Sequence, residues 1–186
     1  MSSVPHTSAT LDDLYRVDGK AELIGGRIVS LMPTGRRPNL VGGRIYRNLA
    51  AYIDELGRGE AYTDNMGFVV SELSSGRQSF SPDVSFYDGP FPRNEMRFID
   101  GPPTFAVEVR REGDYGAAAE EELAAKRADY FEAGTEVVWD VDPVADLVRV
   151  YRASTPDSPA LLRRGQIADA EPAVSGWQVS VDHVFG

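Results

Sequence analysis

Val41, Ile45, Leu49, Tyr52, Ile53 and Leu56 recur mostly at spacings of three and four, and the run stops at Gly57. That pattern predicts an amphipathic helix. Upstream, Thr10 with Asp13 three residues later reads as an N-cap with an acidic first turn, predicting a short helix over Leu11 to Val17. Ala21 to Ile24 and Arg27 to Leu31 read as strands flanking Gly25-Gly26, a pair able to take the positive φ angles of a two-residue hairpin turn. Pro33 to Pro38 reads as loop.

Beyond the helix the pattern changes. Glu60 to Thr63, Gly67 to Glu72 and Val84 to Tyr87 read as short strands, with a polar turn at Ser74-Ser75-Gly76. Gly89 to Pro103 holds four prolines and reads as an irregular connection. Thr104 to Arg110 is then a β-rich strand, and Ala117 to Ala133 a helix closed by Gly134. Glu136 to Val141 and Leu147 to Tyr151 read as strands joined by a turn over Asp142 to Asp146, with weaker strand signals at Ala160 to Arg163 and Trp177 to Val181. Strands before, around and after one long helix predict an α/β fold, a mixed β-sheet flanked by helices, rather than a repeated βαβ array. No Gly-rich phosphate loop follows any strand.

A chain of 186 residues suits a single domain, 1–186, with its core over about 20–152, an N-terminal helix and a C-terminal strand extension. It contains no cysteine, which excludes disulfide scaffolds, thiolate zinc sites and cysteine nucleophiles. The polar start, Met1 to Thr10, has no signal-peptide pattern and no later run reaches membrane-spanning length, so the expectation is a cytoplasmic protein with no membrane partner. The formal charge of −10 argues against nonspecific coating of nucleic acid. It is unevenly spread: no acidic residue lies between Leu23 and Ile53, where Arg27, Arg36, Arg37, Arg44 and Arg47 fall. These arginines either solvate a helix face or form a local phosphate-binding surface.

Alternation along the Thr104 to Arg110 strand puts Ala106, Glu108 and Arg110 on one face and Phe105, Val107 and Val109 on the other, taken as core. The first face then presents a carboxylate beside a cation after an apolar approach. Asp83 follows Pro82 and leads into Val84-Ser85-Phe86-Tyr87. Two carboxylates on neighbouring strands make a hard-oxygen site suited to Mg2+ or Mn2+.

These residues resemble a known pattern. Ser81-Pro82-Asp83-Val84 and Val107-Glu108-Val109-Arg110, with 24 residues between Asp83 and Glu108, are similar to the PD-(D/E)XK nuclease superfamily. Glu22-Leu23-Ile24-Gly25-Gly26, then Lys126, Tyr130 and Gly134, then Val137-Val138-Trp139-Asp140-Val141-Asp142-Pro143, extend the likeness to the bacterial "putative restriction endonuclease" family, over about Glu22 to Tyr151. The resemblance implies a restriction-endonuclease-like fold and divalent-metal cleavage of DNA phosphodiesters, with Asp83 and Glu108 as metal ligands. It also implies Glu22 as a further carboxylate of the site. The superfamily has lysine two residues after the glutamate; here Arg110 stands there, a group able to orient a phosphate but not to act as a general base. Lys126, three residues after Leu123 and four before Tyr130 on the following helix, is the candidate to take over the missing role.

Glu120-Glu121-Glu122 reads as a solvated helix face, Asp142-Pro143 as turn chemistry, and His6 and His183 lack metal-ligand spacing. The resulting expectation is a homodimeric, metal-dependent DNA endonuclease. Two alternatives stand beside it: a catalytically inactive nuclease-like binding or assembly domain, and a glycosidase-like use of the two carboxylates.

Overall fold

Thr10 caps helix α1 (Leu11–Leu14) through a reciprocal box: its hydroxyl accepts the Asp13 N–H, and the Asp13 carboxylate accepts the Thr10 N–H at 2.9 Å. The computed structural model describes residues 8–186, and His6 lies outside the described residues. The helix stops short of Val17. Arg16 and Val17 instead donate to the carbonyls of Asp13 and Leu14, three residues back, so the last turn tightens rather than continues. Strands β1 (Ala21–Ile24) and β2 (Arg27–Ser30) pair as a hairpin. Its turn residues Gly25 and Gly26 have φ of 54° and 66°, which only glycine adopts without strain.

Helix α2 (Arg36–Leu56) begins inside the stretch expected to be loop. Pro38 is tolerated there because the first-turn N–H groups have no intrahelical partner to lose. Val41, Ile45, Leu49 and Ile53 form its buried stripe. Gly42 and Gly43 sit mid-helix, each at a cost of roughly 0.5–1 kcal/mol relative to alanine.

The next strands are β3 (Glu60–Thr63), β4 (Phe68–Val69), β5 (Ser79–Phe80), β6 (Val84–Tyr87), β7 (Ile99–Asp100) and β8 (Phe105–Val109). β5, β4 and β7 form a small three-stranded sheet in that order. Only part of the expected Gly67 to Glu72 strand pairs, and β7 lies within the proline-rich connection read as irregular. Two-residue pairings are too short to carry a hydrophobic period. Helix α3 (Ala117–Ala133) and β9 (Val137–Asp142) follow, then β10 (Leu147–Arg152), β11 (Thr155–Leu162), β12 (Ile167–Ala170), β13 (Val174–Ser180) and α4 (Val181–Phe185).

The central six-stranded sheet has the order β11-β10-β9-β8-β6-β3 and is antiparallel except between β8 and β9, the pair that α3 connects. One face carries Val84, Phe86, Phe105, Val107, Val109 and Trp139, packed on the α2 stripe, Trp177 and α4. The opposite face was expected to be the polar one, but Ala106, Val138 and Tyr87 are buried there against Tyr130 of α3, Phe68 and Phe80. Both faces are therefore core, because α3 and the small sheet cover what a two-layer fold would leave to water. Glu108 and Asp140, partners in the parallel register, lie on this α3 side, where polar groups must find partners within the protein.

Candidate functional site

Asp83 precedes β6 and already belongs to its ladder. Its N–H donates to the Val107 carbonyl (3.0 Å), and its Oδ2 accepts the Val109 N–H (2.8 Å). The carboxylate is thus locked to the strand carrying Glu108, with Oδ1 turned outward to Lys20 (3.1 Å). Glu108 projects from β8 toward α3, where the Tyr130 hydroxyl donates to Oε1 (2.6 Å) and the Lys126 ammonium lies 2.9 Å from the same oxygen. Among the described residues no hydrogen bond reaches Oε2. Tyr130 is itself fixed by stacking on Phe80, with centroids 4.2 Å apart.

Glu22, on β1, is 2% exposed and closes the far side. Its carboxylate accepts the Ser81 N–H (3.0 Å), pairs with Arg77, and lies 3.1 Å from Lys126. Arg77 also bonds Asp129 of α3 at 2.8 Å. The structure therefore brings Asp83, Glu108, Lys126 and Glu22 together. It directs Arg110 elsewhere: this guanidinium grips Asp140 at 2.6 and 2.7 Å and reaches Glu120 of α3. Lys126, not Arg110, stands beside the carboxylates. Glu120, read as part of a solvated face, is the outer end of this clamp. Asp142 accepts the N–H groups of Val144 and Ala145 at 3.0 Å, the turn role expected of it.

Two residues of the cluster carry no signal in the sequence. Lys20, between α1 and β1, bonds both Asp83 and Asp64, and Asp64 follows β3. Their partners lie 63 and 44 residues from Lys20, so no local spacing announces the contact. A narrow cleft of about 50 Å3 runs between Lys20, Asp64, Asp83, Glu108 and Lys126. From Asp83 a wider groove, about 360 Å3, continues between α2 and the turn after β3.

Burial pushes the Glu108 carboxyl above its ordinary range; Lys126 opposes this, while Asp83 and Glu22 reinforce it. Burial also acts to raise Glu22, but Lys126, Arg77 and the Ser81 N–H overcome it and hold this carboxyl below its usual value. For Lys126 burial is outweighed by Glu108 and Glu22, so the ammonium holds its proton more firmly than a free lysine. The same balance, against Asp83 and Glu108, keeps Lys20 charged. Four carboxylates (Glu22, Asp64, Asp83, Glu108) thus face two ammonium groups, leaving two negative charges once Arg77 and Asp129 cancel.

Among the described residues no group of three or more His, Cys, Asp or Glu side chains converges as a preformed metal cage. A magnesium-type ion does not need one. It is commonly held by one or two carboxylates, keeping waters in the remaining positions, and Asp83 and Glu108 with two uncompensated charges fit that requirement.

The fold is that of a restriction-endonuclease-like domain. The Uma2 family model, described as "Putative restriction endonuclease", matches residues 9–182, and the chain belongs to that family. Among solved structures, the chain is similar to "a putative nuclease belonging to DUF820" from Anabaena variabilis ATCC 29413, with 19% identity and a TM-score of 0.72 over 95% of this chain and 97% of that one. A partial match to the DrdV–DNA complex, at 14% identity and a TM-score of 0.37 over 63% of this chain and 9% of that one, is too loose to build on. No curated protein matches. Among the described residues no helix is long and apolar enough to cross a membrane.

Proposed function

We propose that this protein is a divalent-metal-dependent endonuclease that hydrolyses DNA phosphodiester bonds. The observation that carries the reading is the convergence of Asp83 and Glu108 with the Lys126 ammonium in a cleft whose carboxylates outnumber its cations. Asp83 and Glu108 would hold magnesium or manganese, which when bound polarises the phosphodiester and lowers the pKa of an attacking water. Asp83 enters this role with its carboxylate fixed by the Val109 N–H. Tyr130 orients Glu108 from behind. Lys126, firmly protonated, acts as a charge rather than a base: it holds a phosphate oxygen and offsets the negative charge that develops during cleavage. Glu22 positions Lys126, and Arg77 positions Glu22. Cutting both strands of a duplex would call for a homodimer, since a two-fold protein matches a two-fold substrate.

A second reading, a nuclease-like binding or assembly domain without catalysis, is favoured by one observation: Lys20 and Lys126 already occupy the carboxylates a metal would use. Calorimetric titration of manganese into wild type and Asp83→Ala, beside a plasmid-nicking assay, separates the two. Metal binding and nicking that both vanish in the variant support the nuclease. A wild type that binds no manganese and cuts nothing leaves the binding domain.

A further inference from the structure

The groove leading from Asp83 differs chemically from the cleft beside it. One wall is the first half of α2, with Asn39, Gly42, Gly43 and Tyr46; the other includes Asn65. Among the described residues no lysine or arginine lines it, and the charged groups in its lining are the carboxylates Asp64 and Asp83. Both carboxylates are already bridged by the Lys20 ammonium, so the groove presents no free cation to draw a phosphate in. A flat, neutral group with hydrogen-bonding edges suits it, because Tyr46 contributes an aromatic ring to the lining and the two asparagines contribute amides.

Gly42 and Gly43 sharpen this. Both lie within α2 at ordinary helical φ, so backbone geometry does not demand glycine. Packing does not demand it either: a Cβ at Gly43 would meet nothing within 4 Å, and one at Gly42 would make ordinary contacts with Val109 and Val84 at 3.9 and 4.0 Å. Gly42 is buried against those valines, but Gly43, a residue unfavourable to a helix, leaves bare a stretch of wall that the protein itself does not fill. At the junction of groove and cleft, the Thr34 hydroxyl oxygen is buried without a hydrogen-bond partner among the described residues. Such an atom is ordinarily satisfied by something.

We infer that this groove is a nucleobase pocket: it receives an unpaired or extruded base next to the phosphate bound at Asp83 and Glu108, so the protein selects single-stranded or locally unpaired DNA over perfect duplex. The inference rests on the nuclease reading of the carboxylate cleft. A base held in a duplex cannot reach such a recess without leaving its stack, whereas a single strand offers it at no such cost.

The test is fluorescence anisotropy with the full chain carrying Glu108→Gln, which blocks turnover, using a short single-stranded oligodeoxynucleotide, its perfect duplex, and a strand of abasic sites. One stacked base supports about a tenfold preference for the intact single strand over both others. Gly43→Val, which fills the groove, should abolish the preference. Gly43→Ala should raise the melting temperature while weakening single-strand binding several-fold, a combination that a purely structural glycine would not produce. Tyr46→Ala gives the same binding loss if Gly43→Val fails to fold. Equal binding of duplex or abasic strand, or unchanged binding in folded Gly43→Ala and Tyr46→Ala, overturns the pocket. The two readings fail separately. Plasmid nicking by wild type without the strand preference removes the pocket alone, and the preference without any cutting removes the nuclease alone.

Discussion

Replacing Lys126 with methionine keeps most of the stem and removes the charge that Glu22 and Glu108 share at 3.1 and 2.9 Å. Breaking a buried pair from one side costs roughly 3–5 kcal/mol. Glu22 retains Arg77 and the Ser81 N–H, so the loss sits at the low end, about 3 kcal/mol, or roughly 6–12 °C in melting temperature for a chain of this size. The effect on metal runs the other way. Two unit charges about 4 Å apart interact by about 4 kcal/mol at an effective dielectric near 20. A cation on Asp83 and Glu108 is therefore freed of a repulsion of that order when the ammonium goes. Even a third of it tightens manganese binding about tenfold. The variant should then melt lower without metal, recover much of that loss as manganese is added, and no longer nick plasmid, because the charge proposed to hold the phosphate is absent. Calorimetry and thermal melting across a manganese series measure all of this. A folded Lys126→Met protein with unchanged or weaker manganese affinity, or with wild-type nicking, would refute the reasoning.

Other outcomes follow from the same cluster. Tyr130→Phe keeps the ring stacked on Phe80 and removes only the hydroxyl that orients Glu108; manganese affinity should fall by about 10–100-fold with little change in far-UV circular dichroism, the usual consequence of losing a partner behind a ligand. Glu22 is held below its ordinary value of 4.5 in the folded protein. The unfolded chain therefore binds the proton first as pH falls, and the stability from this carboxylate is present above 4.5 and lost below it. The stability gap between wild type and Glu22→Gln, measured by urea unfolding without metal, should be greatest near neutrality and close on acidification; a gap that widens in acid would reverse the assigned sign.

The α3 helix was legible to the residue, Ala117 to Ala133, because a glycine closes an uninterrupted run of helix formers. Glu108 stood out for a different reason: a carboxylate inside an apolar strand needs an explanation even before its neighbours are known. Asp83 stood out through the Pro82-Asp83 pair that leads into an apolar strand. What stayed hidden was whatever long-range closure creates. Lys20 lies beside a hairpin in sequence and meets Asp83 only once β1 docks beside β5 and Ser81. The covering of the second sheet face was missed because α3 brings only Asp129 and Tyr130 fully into the interior, a stripe too thin for the pattern to expose. β12 and α4 escaped because four or five residues carry too little period to read.

Arg110 gives the fold a mechanical property. By gripping Asp140 on β9 and Glu120 on the first turn of α3, it bolts one end of that helix to the sheet, six residues before Lys126. The ammonium at the cleft is thus carried on a lever rather than built into the strand that bears Glu108. If Lys126 holds a phosphate as proposed, its reach depends on how firmly the near end of the lever is pinned, so a disturbance at the exposed Glu120 carboxylate would be transmitted along α3 as a change in aim.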